Sequence, residues 1–334
     1  MLSSLTLVLS LTAAAAAAPL EARAARTSPP AGCLAVGSSA QYKTVQSAVN
    51  ALSTSTTTGQ CIFIYGGTYK EQVYVPQLKS ALAIYGETTN TAGFSSNTVT
   101  ITQGKSQDDS ANNDATATLR AHTTNLKVYN INLVNTRGKG SQALALSAQK
   151  DRQGYYGCQF KGFQDTILAN EGAQVYGRSY IEGATDFIFG QRARAWFDGA
   201  DIRVLAASLG YITANGRDSS SNPSYYVIHK STVSAKAGDS VNVGAYYLGR
   251  PWRNYSRVVF QQTSLSNVIN AAGWKIWADG DPRTDKVEYG EYANSGDGSK
   301  GSRANFSKKL SAAVSISEVL GGDYKDWVDT SYLS

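Results

Sequence analysis

The sequence has few of the side chains on which many metal-dependent and nucleophilic enzymes rely. Its 334 residues include 2 His, 3 Cys and 1 Met, and charged residues make up only 17%. Two histidines, His122 and His229, are too few for a three-His zinc site, and no HExxH motif occurs. The absence of CxxC excludes a zinc ribbon or a thioredoxin-type motif. No basic run exceeds Lys308-Lys309, which argues against a nucleic-acid partner.

The only long apolar run is at the N-terminus. Leu2 to Ala18 is uncharged and ends in a run of alanines. A membrane anchor is the alternative to a signal peptide here, but the run is too short and too rich in small residues for a membrane span. We interpret residues 1–18 as a secretory signal peptide and residues 19–30 as a short pro-segment or flexible N-terminus. We therefore expect residues 31–334 to form a secreted domain without a membrane segment.

A secreted chain permits a disulfide, and three cysteines leave one unpaired. We favour Cys33–Cys61, because Cys158 occupies a position in a repeat that is expected to face the core. Three buried free thiols are the alternative. Sequons begin at Asn254 and Asn305 and are candidate glycosylation sites.

Between two end segments the chain reads as short strands. Helical spacing of apolar residues predicts helices over Lys43–Leu52 and Leu310–Leu320, with β-branched and aromatic runs separated by Gly, Asn, Asp and Ser between them. Many short strands indicate an all-β sandwich, barrel or solenoid. No linker interrupts the pattern, so one domain is favoured.

A repeat favours the solenoid. Gly162–Leu168 (GFQDTIL) is similar to Gly183–Phe189 (GATDFIF), 21 residues later, and each copy follows a strand-like stretch. A period near 21 fits one coil of a parallel β-helix, although chance similarity within a sandwich is the alternative. Equivalent residues on stacked coils lie roughly 4.8 Å apart.

Stacked coils bring Asp165 and Asp186 to one cleft. Two close carboxylates in a partly dry site should not both ionise, so one pKa is expected to rise while the other stays low. Such a pair serves glycoside hydrolysis or ester hydrolysis with an aspartate nucleophile. Ester hydrolysis also needs oxyanion donors, for which Gln142 and Gln164 are candidates. Two aspartates that merely form turns are the structural alternative.

A second patch supplies a guanidinium and indoles. Arg250 in the segment LGRPW could pair with a carboxylate and keep it ionised, and Trp252 could stack on a sugar face, although a structural turn with a buried Trp is equally consistent with this segment. Trp274 and Trp277 in GWKIW are further candidates, either of which could belong to the core. No GxSxG motif occurs, which disfavours a serine hydrolase.

Taken together, these segments resemble the pectin methylesterases (pectinesterases), most closely those of fungi. The matching pieces, in the family's order, are GTYKE at Gly67–Glu71, QALAL at Gln142–Leu146, GFQDTIL at Gly162–Leu168, DFIFG at Asp186–Gly190 and LGRPW at Leu248–Trp252. The resemblance runs from about Lys43 to the C-terminus. It implies a single-stranded, right-handed parallel β-helix (a pectin-lyase-like solenoid) with short flanking helices.

The resemblance also implies residue roles in hydrolysis of galacturonate methyl esters. Asp186 matches the nucleophile, Asp165 the general acid/base and Arg250 the residue that holds Asp186. Gln142 and Gln164 match the polar groups of the oxyanion hole. Substrate contacts are expected at the aromatic residues Trp252, Trp274 and Phe187. The family uses no metal or organic cofactor.

The implied partner is pectin, and a net charge of +6 suits this increasingly anionic polymer. We expect a monomer with no nucleic-acid partner. The rival enzymes are other β-helix pectin enzymes, a polygalacturonase or a lyase, and the non-enzymatic rival is an inactive wall-binding solenoid. The complete set of Asp165, Asp186, Gln142 and Arg250 argues against an inactive solenoid.

Overall fold

The structure, a computed structural model, describes residues 24–334. The interpretation of residues 1–18 as a signal peptide lies outside the described residues. In the part of the chain that is described, no helix is both long and apolar enough to cross a membrane.

Short strands dominate the chain, and helices occur mainly near its ends. In chain order the strands and α-helices are β1 (Leu34–Val36), α1 (Val45–Asn50), β2 (Gln60–Ile64), β3 (Gly67–Lys70), β4 (Val73–Val75), β5 (Leu82–Gly86), β6 (Val99–Gln103), α2 (Asn113–Thr116), β7 (Leu119–Ala121), β8 (Leu126–Tyr129), β9 (Ile131–Asn135), β10 (Leu146–Ala148), β11 (Gln153–Tyr156), β12 (Gln159–Lys161), β13 (Ile167–Ala169), β14 (Glu171–Gly177), β15 (Tyr180–Gly183), β16 (Ile188–Gly190), β17 (Arg192–Asp198), β18 (Asp201–Val204), β19 (Gly210–Asn215), β20 (Tyr225–His229), β21 (Thr232–Ala235), β22 (Tyr246–Gly249), β23 (Arg257–Gln261), β24 (Ser264–Leu265), β25 (Glu288–Tyr292), β26 (Ser307–Lys309), α3 (Ile316–Leu320) and α4 (Tyr324–Trp327). Two 3₁₀ turns cover Asp297–Ser299 and Thr330–Tyr332.

The strands form three parallel sheets that run side by side. Their orders are β1-β2-β5-β8-β11-β14-β17-β20-β23-β25-β26, β22-β19-β16-β13-β10-β7-β4 and β24-β21-β18-β15-β12-β9-β6-β3. The chain therefore visits each sheet once per coil, which is a parallel β-helix, as predicted. The register preserves the predicted period, since Ile167 pairs with Ile188 across β13 and β16.

The corner between the first and third sheets is made by residues in the left-handed conformation. At equivalent places on successive coils these are Asn130, Gly157, Arg178, Gly199, Lys230 and Gln262. The left-handed residue interrupts the alternation of side chains and turns the chain from one sheet into the next. A continuous apolar run such as LKVYNINLV is therefore divided into two strands, β8 and β9. The predicted single runs are therefore pairs of strands joined at a corner.

The core is a stack of equivalent side chains along the helix axis. The rings of Tyr155 and Tyr176 are 5.1 Å apart, and those of Tyr176 and Phe197 are 4.5 Å apart. The buried hydroxyl groups donate to glutamine side chains two residues earlier on the same strand, at 2.9 Å for Tyr155 to Gln153. Because these polar groups are satisfied, aromatic residues fill the interior without orphaned donors.

Residues just before the expected domain boundary at residue 31 also contact the β-helix. Arg26 forms an antiparallel bridge with Thr88, and its side chain donates to the carbonyl of Gly86 and to Asn130. Its guanidinium carbon is 4.9 Å from the centre of the Tyr85 ring. The part of the predicted pro-segment or flexible N-terminus around Arg26 thus contacts the β-helix.

The predicted disulfide Cys33–Cys61 is confirmed, with a sulfur–sulfur distance of 2.05 Å, and Cys158 is a buried free thiol. We expect the double variant Cys33→Ser/Cys61→Ser to have a free energy of unfolding about 3 kcal/mol lower than that of the wild type. The disulfide closes a loop across a sequence separation of 28 residues, and its loss gives the unfolded chain more conformations. Thermal unfolding with and without reductant measures this loss. Reductant should lower the melting temperature of the wild type but not of the variant, and equal melting temperatures would contradict the expectation.

The C-terminal segment covers the outer face of the first sheet. The predicted helix over Leu310–Leu320 is observed only as α3, which packs on β14, β17 and β20. Trp327 and Val328 join Tyr156 and Trp196 in a second apolar cluster outside the helix core. This cover buries outward-facing aromatics that would otherwise form an exposed apolar patch.

Candidate active site

The two repeated aspartates lie on adjacent coils, just before β13 and β16 of the seven-stranded sheet. The backbone N–H of Asp165 donates to the carbonyl of Thr185 at 3.0 Å, and Gln164 forms a parallel bridge with Thr185. Both aspartates have a left-handed backbone, with φ of 63° at Asp165 and 50° at Asp186. This conformation is unfavourable for a residue with a Cβ, and its recurrence one coil apart marks a shared structural requirement.

The glycines of the repeat explain its local shape. A Cβ on Gly183 would approach the Cβ of Phe187 to 2.3 Å, and one on Gly162 would approach the Thr166 hydroxyl to 2.8 Å. The chain folds back on itself at these points, so only glycine fits. The tight turn then directs each aspartate out of the sheet face.

Burial changes the proton affinity of both carboxyl groups. Asp165 and Asp186 are each 7% exposed. Desolvation and then the charge of Asp186 raise the pKa of Asp165 well above its ordinary value. Desolvation also raises the pKa of Asp186, while hydrogen bonds from Arg250 and its charge oppose this rise. The expectation that one of the two pKa values stays low is therefore wrong, because the pKa of Asp186 is raised as well. The two carboxyl groups still differ, since only Asp186 has a guanidinium partner.

Arg250 binds the Asp186 carboxylate with two hydrogen bonds. Its Nε lies 3.0 Å from Oδ1, and its Nη2 lies 2.7 Å from Oδ2. Arg250 directly follows β22 and reaches Asp186 across β19. Its guanidinium carbon also lies 4.1 Å from the centre of the Tyr211 ring and 4.3 Å from that of Trp277. The bidentate pair and the two rings orient the Asp186 carboxylate.

A cleft of about 250 Å³ opens above these groups. Gln142 is next to Gln164 in the cleft because the N–H of Ala143 donates to the Gln164 carbonyl at 3.2 Å. The lining residues are Asn113, Gln142, Gln164, Asp165, Asp186, Phe189, Ala214, Arg250, Trp252 and Trp277. The predicted carboxylates, amides and guanidinium, together with Trp252, thus share one cleft.

Two expected substrate contacts lie elsewhere. Trp274 is 1% exposed, and its ring stacks on Tyr289 at 4.1 Å inside the core. Phe187 is fully buried and packs against Gly183. The expectations for both residues need correction, because a side chain without solvent-accessible surface cannot touch a polymer. Phe187 precedes β16 and, like the first strand residue Ile188, belongs to the main core cluster.

The cleft also contains groups that the sequence analysis did not assign. Trp277, three residues after Trp274, provides the indole expected from that segment. Phe189 and Ala214 form a small apolar floor with Trp252. Asn113 enters from α2, whose short segment carried no recognised motif. Strand alternation starting from Ile188 was a usable signal for Phe189, whereas Asn113 begins the four-residue helix α2, which is too short to show a helical period.

The arrangement suits acyl transfer. It combines a buried, Arg-paired carboxylate that could attack, a second carboxyl with raised proton affinity, and two amide side chains. Within residues 24–334, no group of three or more His, Cys, Asp or Glu side chains is placed to hold a metal ion. Fold and site define a β-helical carboxylic ester hydrolase.

Comparisons with known proteins identify the family. The pectinesterase family model matches residues 33–316. A pectinesterase from Aspergillus aculeatus is 55% identical over 313 residues, covering 92% of this chain and 95% of that protein. The crystal structure of the Aspergillus niger pectin methylesterase superposes with a TM-score of 0.87 at 43% identity, covering 92% of this chain and all of that one. The structure of the pectin methylesterase from carrot superposes with a TM-score of 0.82 at 30% identity, covering 92% of this chain and 98% of that one.

The chain belongs to the pectinesterase family. It is a carboxylic ester hydrolase that removes methyl esters from pectin, as its resemblance to the family predicted.

Proposed function

We propose that Asp186 is the nucleophile and Asp165 the general acid/base in this hydrolysis. The observation that carries the assignment is the asymmetry of the pair: both carboxyls are buried on adjacent coils, but only Asp186 is held by a guanidinium. Arg250 favours the ionised form of Asp186, whereas burial and then the neighbouring negative charge favour a protonated Asp165. One group is thus ready to attack and the other to donate a proton.

In the first step an Asp186 oxygen attacks the carbonyl carbon of the methyl ester. The bond to the methoxy oxygen breaks, and Asp165 gives its proton to the departing oxygen, so methanol leaves and an acyl anhydride on Asp186 remains. The amide N–H groups of Gln142 and Gln164 donate to the oxyanion. These donors belong to uncharged side chains, which need no proton change during the reaction.

In the second step Asp165 acts as a base. It takes a proton from water, the resulting hydroxide attacks the galacturonyl carbonyl, and the bond to Asp186 breaks. The products are a pectate carboxyl group and the regenerated Asp186 carboxylate, with Asp165 again protonated. Trp252 and Trp277 border the cleft and present apolar surfaces for the sugar rings that flank the ester.

The enzyme is proposed to act as a secreted monomer. The Cys33–Cys61 bond suits an oxidising compartment. Asn254 and Asn305, which begin the two sequons, are both exposed and accessible to glycosylation. The proposed substrate is methyl-esterified homogalacturonan, which gains negative charge during the reaction and is attracted by the net charge of +6.

The pH dependence of kcat/KM tests the proposed roles. We expect a bell-shaped profile, because activity requires an ionised Asp186 and a protonated Asp165. The acid limb should lie above the pH of an ordinary carboxylic acid, since burial raises the pKa of Asp186. The alkaline limb reflects the strongly raised pKa of Asp165. The two limbs report the pair as a coupled unit.

The measurement is acid release from highly methylated pectin at constant ionic strength, with methanol quantified in parallel. Viscosity and ultraviolet absorbance exclude the rival activities, because a polygalacturonase shortens the chain and a lyase creates an absorbing unsaturated end. If kcat/KM instead keeps rising with pH and shows no alkaline limb, the role of a protonated Asp165 is contradicted.

A further inference from the structure

Arg250 lies in a row of stacked aromatic and cationic groups beside the cleft. Its guanidinium packs on Tyr211 and on Trp277. A second guanidinium, that of Arg283, lies with its carbon 4.8 Å from the centre of the same Trp277 ring. On the other side, Tyr211 stacks with Tyr247 at 6.0 Å. The Arg250 orientation therefore depends on what holds these rings.

Arg283 connects the two loops that carry the cleft indoles. Its Nε and Nη2 donate to Asp281 at 2.8 and 2.7 Å, which fixes the guanidinium within its own loop. Its Nη1 donates to the backbone carbonyl of Trp252. The loop is closed by a hydrogen bond from the N–H of Trp277 to the carbonyl of Pro282 at 3.2 Å. One side chain thus links both indole-bearing loops.

We infer that Arg283 is a positioning residue for the reaction, which holds Trp277 against Arg250 and thereby keeps the Arg250 guanidinium aligned with Asp186. The inference rests on the proposed role of Asp186 as nucleophile. Arg283 does not line the cleft, so its effect on the reaction passes through Trp277 and Arg250.

The physical argument concerns freedom of motion. The bidentate pair requires both Arg250 hydrogen bonds to Asp186 at once. The Tyr211 and Trp277 rings that contact the guanidinium restrict its rotation out of that geometry. Without Arg283, the Trp277 ring loses a cationic partner and its loop loses the bond to the Trp252 carbonyl. Arg250 then gains room to rotate, and its hold on the Asp186 carboxylate weakens.

The electrostatic surroundings of Asp186 give this weakening a direction. The charged and titratable groups that act on Asp186 or respond to it are Asp165, Arg250, Tyr211 and Tyr289. Arg250 is the only cation among them. A looser Arg250 therefore raises the pH at which Asp186 becomes ionised, and the acid limb of kcat/KM moves to higher pH.

The test compares Arg283→Ala and Arg283→Lys with wild type, using Lys286→Ala as a control that removes an exposed positive charge three residues away. We expect Arg283→Ala to lower kcat by roughly tenfold or more, because small misplacements of a reacting group are costly. Its acid limb should shift to higher pH. Arg283→Lys should lie between, since an ammonium keeps the ring contact but cannot donate to all partners. Lys286→Ala should match wild type in both quantities.

Other outcomes overturn the inference. A raised KM with unchanged kcat and acid limb would assign Arg283 to substrate binding alone. A lower melting temperature with unchanged kcat and acid limb per folded enzyme would make it a stability residue. If Arg283→Ala does not fold, Asp281→Asn loosens the same guanidinium and should move the acid limb in the same direction by less. An active Asp186→Asn enzyme would instead refute the proposed function, whatever Arg283 does.

Discussion

Asp186→Asn is expected to lower kcat on methylated pectin by about 10⁴-fold, on the scale of losing a catalytic nucleophile. An amide cannot attack the ester, and it leaves the Arg250 guanidinium without its anionic partner. The residual rate would come from the remaining donors and from substrate binding. Acid release over long incubation, with methanol quantified directly, measures this loss.

Folding must be verified for the Asp186 variant, because a guanidinium left unpaired in a largely buried site destabilises the protein. The control is Asp285→Asn, which removes an exposed carboxylate and should retain wild-type kcat. A second variant, Asp186→Ala, removes any route back to aspartate by deamidation. Activity within tenfold of wild type in a folded Asp186 variant would refute the nucleophile assignment.

Asp165→Asn is expected to separate activity from stability. Its kcat on the methyl ester should fall by about 10²- to 10⁴-fold, the usual contribution of a positioned acid/base. Its free energy of unfolding at pH 7 should instead rise by about 0.5–2 kcal/mol, because the variant removes a group whose ionisation is disfavoured in the folded state by burial and by the charge of Asp186.

The sign of this stability change follows from the raised pKa of Asp165. A carboxyl whose pKa is higher in the folded state supports folding at pH below its unfolded pKa. That support is lost as the pH rises through the folded pKa. The melting-temperature advantage of Asp165→Asn should therefore be small near pH 4 and grow towards pH 7. An advantage independent of pH would contradict the explanation.

A trifluoroethyl ester of oligogalacturonate tests the catalytic half of the Asp165 prediction. Trifluoroethanol is more acidic than methanol and leaves with less need for a proton donor. Acylation should therefore recover in Asp165→Asn while water attack stays slow, giving a burst of alcohol equal to the enzyme concentration. The same variant tested on the methyl ester should give no burst. Equal losses on both esters would contradict the assignment of Asp165 as proton donor.

Much of the fold could be predicted from local patterns. The repeat at Gly162 and Gly183 gave the coil length, because parallel coils place residues one period apart in register. That register then predicted a shared cleft for Asp165 and Asp186. The unpaired status of Cys158 followed in the same way, from an inward position in the repeat. By contrast, the helix predicted over Leu310–Leu320 was too long, because the backbone N–H of Leu310 still bonds to the Glu291 carbonyl and α3 begins only after its N-cap, Ser315.

Outside the repeats, the direction of individual side chains could not be predicted from the sequence. GWKIW contains two indoles, and nothing in its composition distinguishes the buried Trp274 from the cleft-lining Trp277. The segment lies in the irregular stretch between β24 and β25, where neither a period of two nor one of 3.6 applies. Arg283, still further along this loop, carried no motif at all.

The few histidines and the repeated aspartates determined by themselves which chemistry is available to this protein: carboxylates and amides on a solenoid. Residue spacing also determined that Asp165 and Asp186 share a cleft, because residues one period apart on stacked parallel coils lie in register. Only the tertiary structure decided how the carboxyls differ. Arg250 arrives from a coil 64 residues away to bind one of them, and burial raises the proton affinity of both. Solvent exclusion and long-range contacts depend on the complete packing, so no local pattern encodes them.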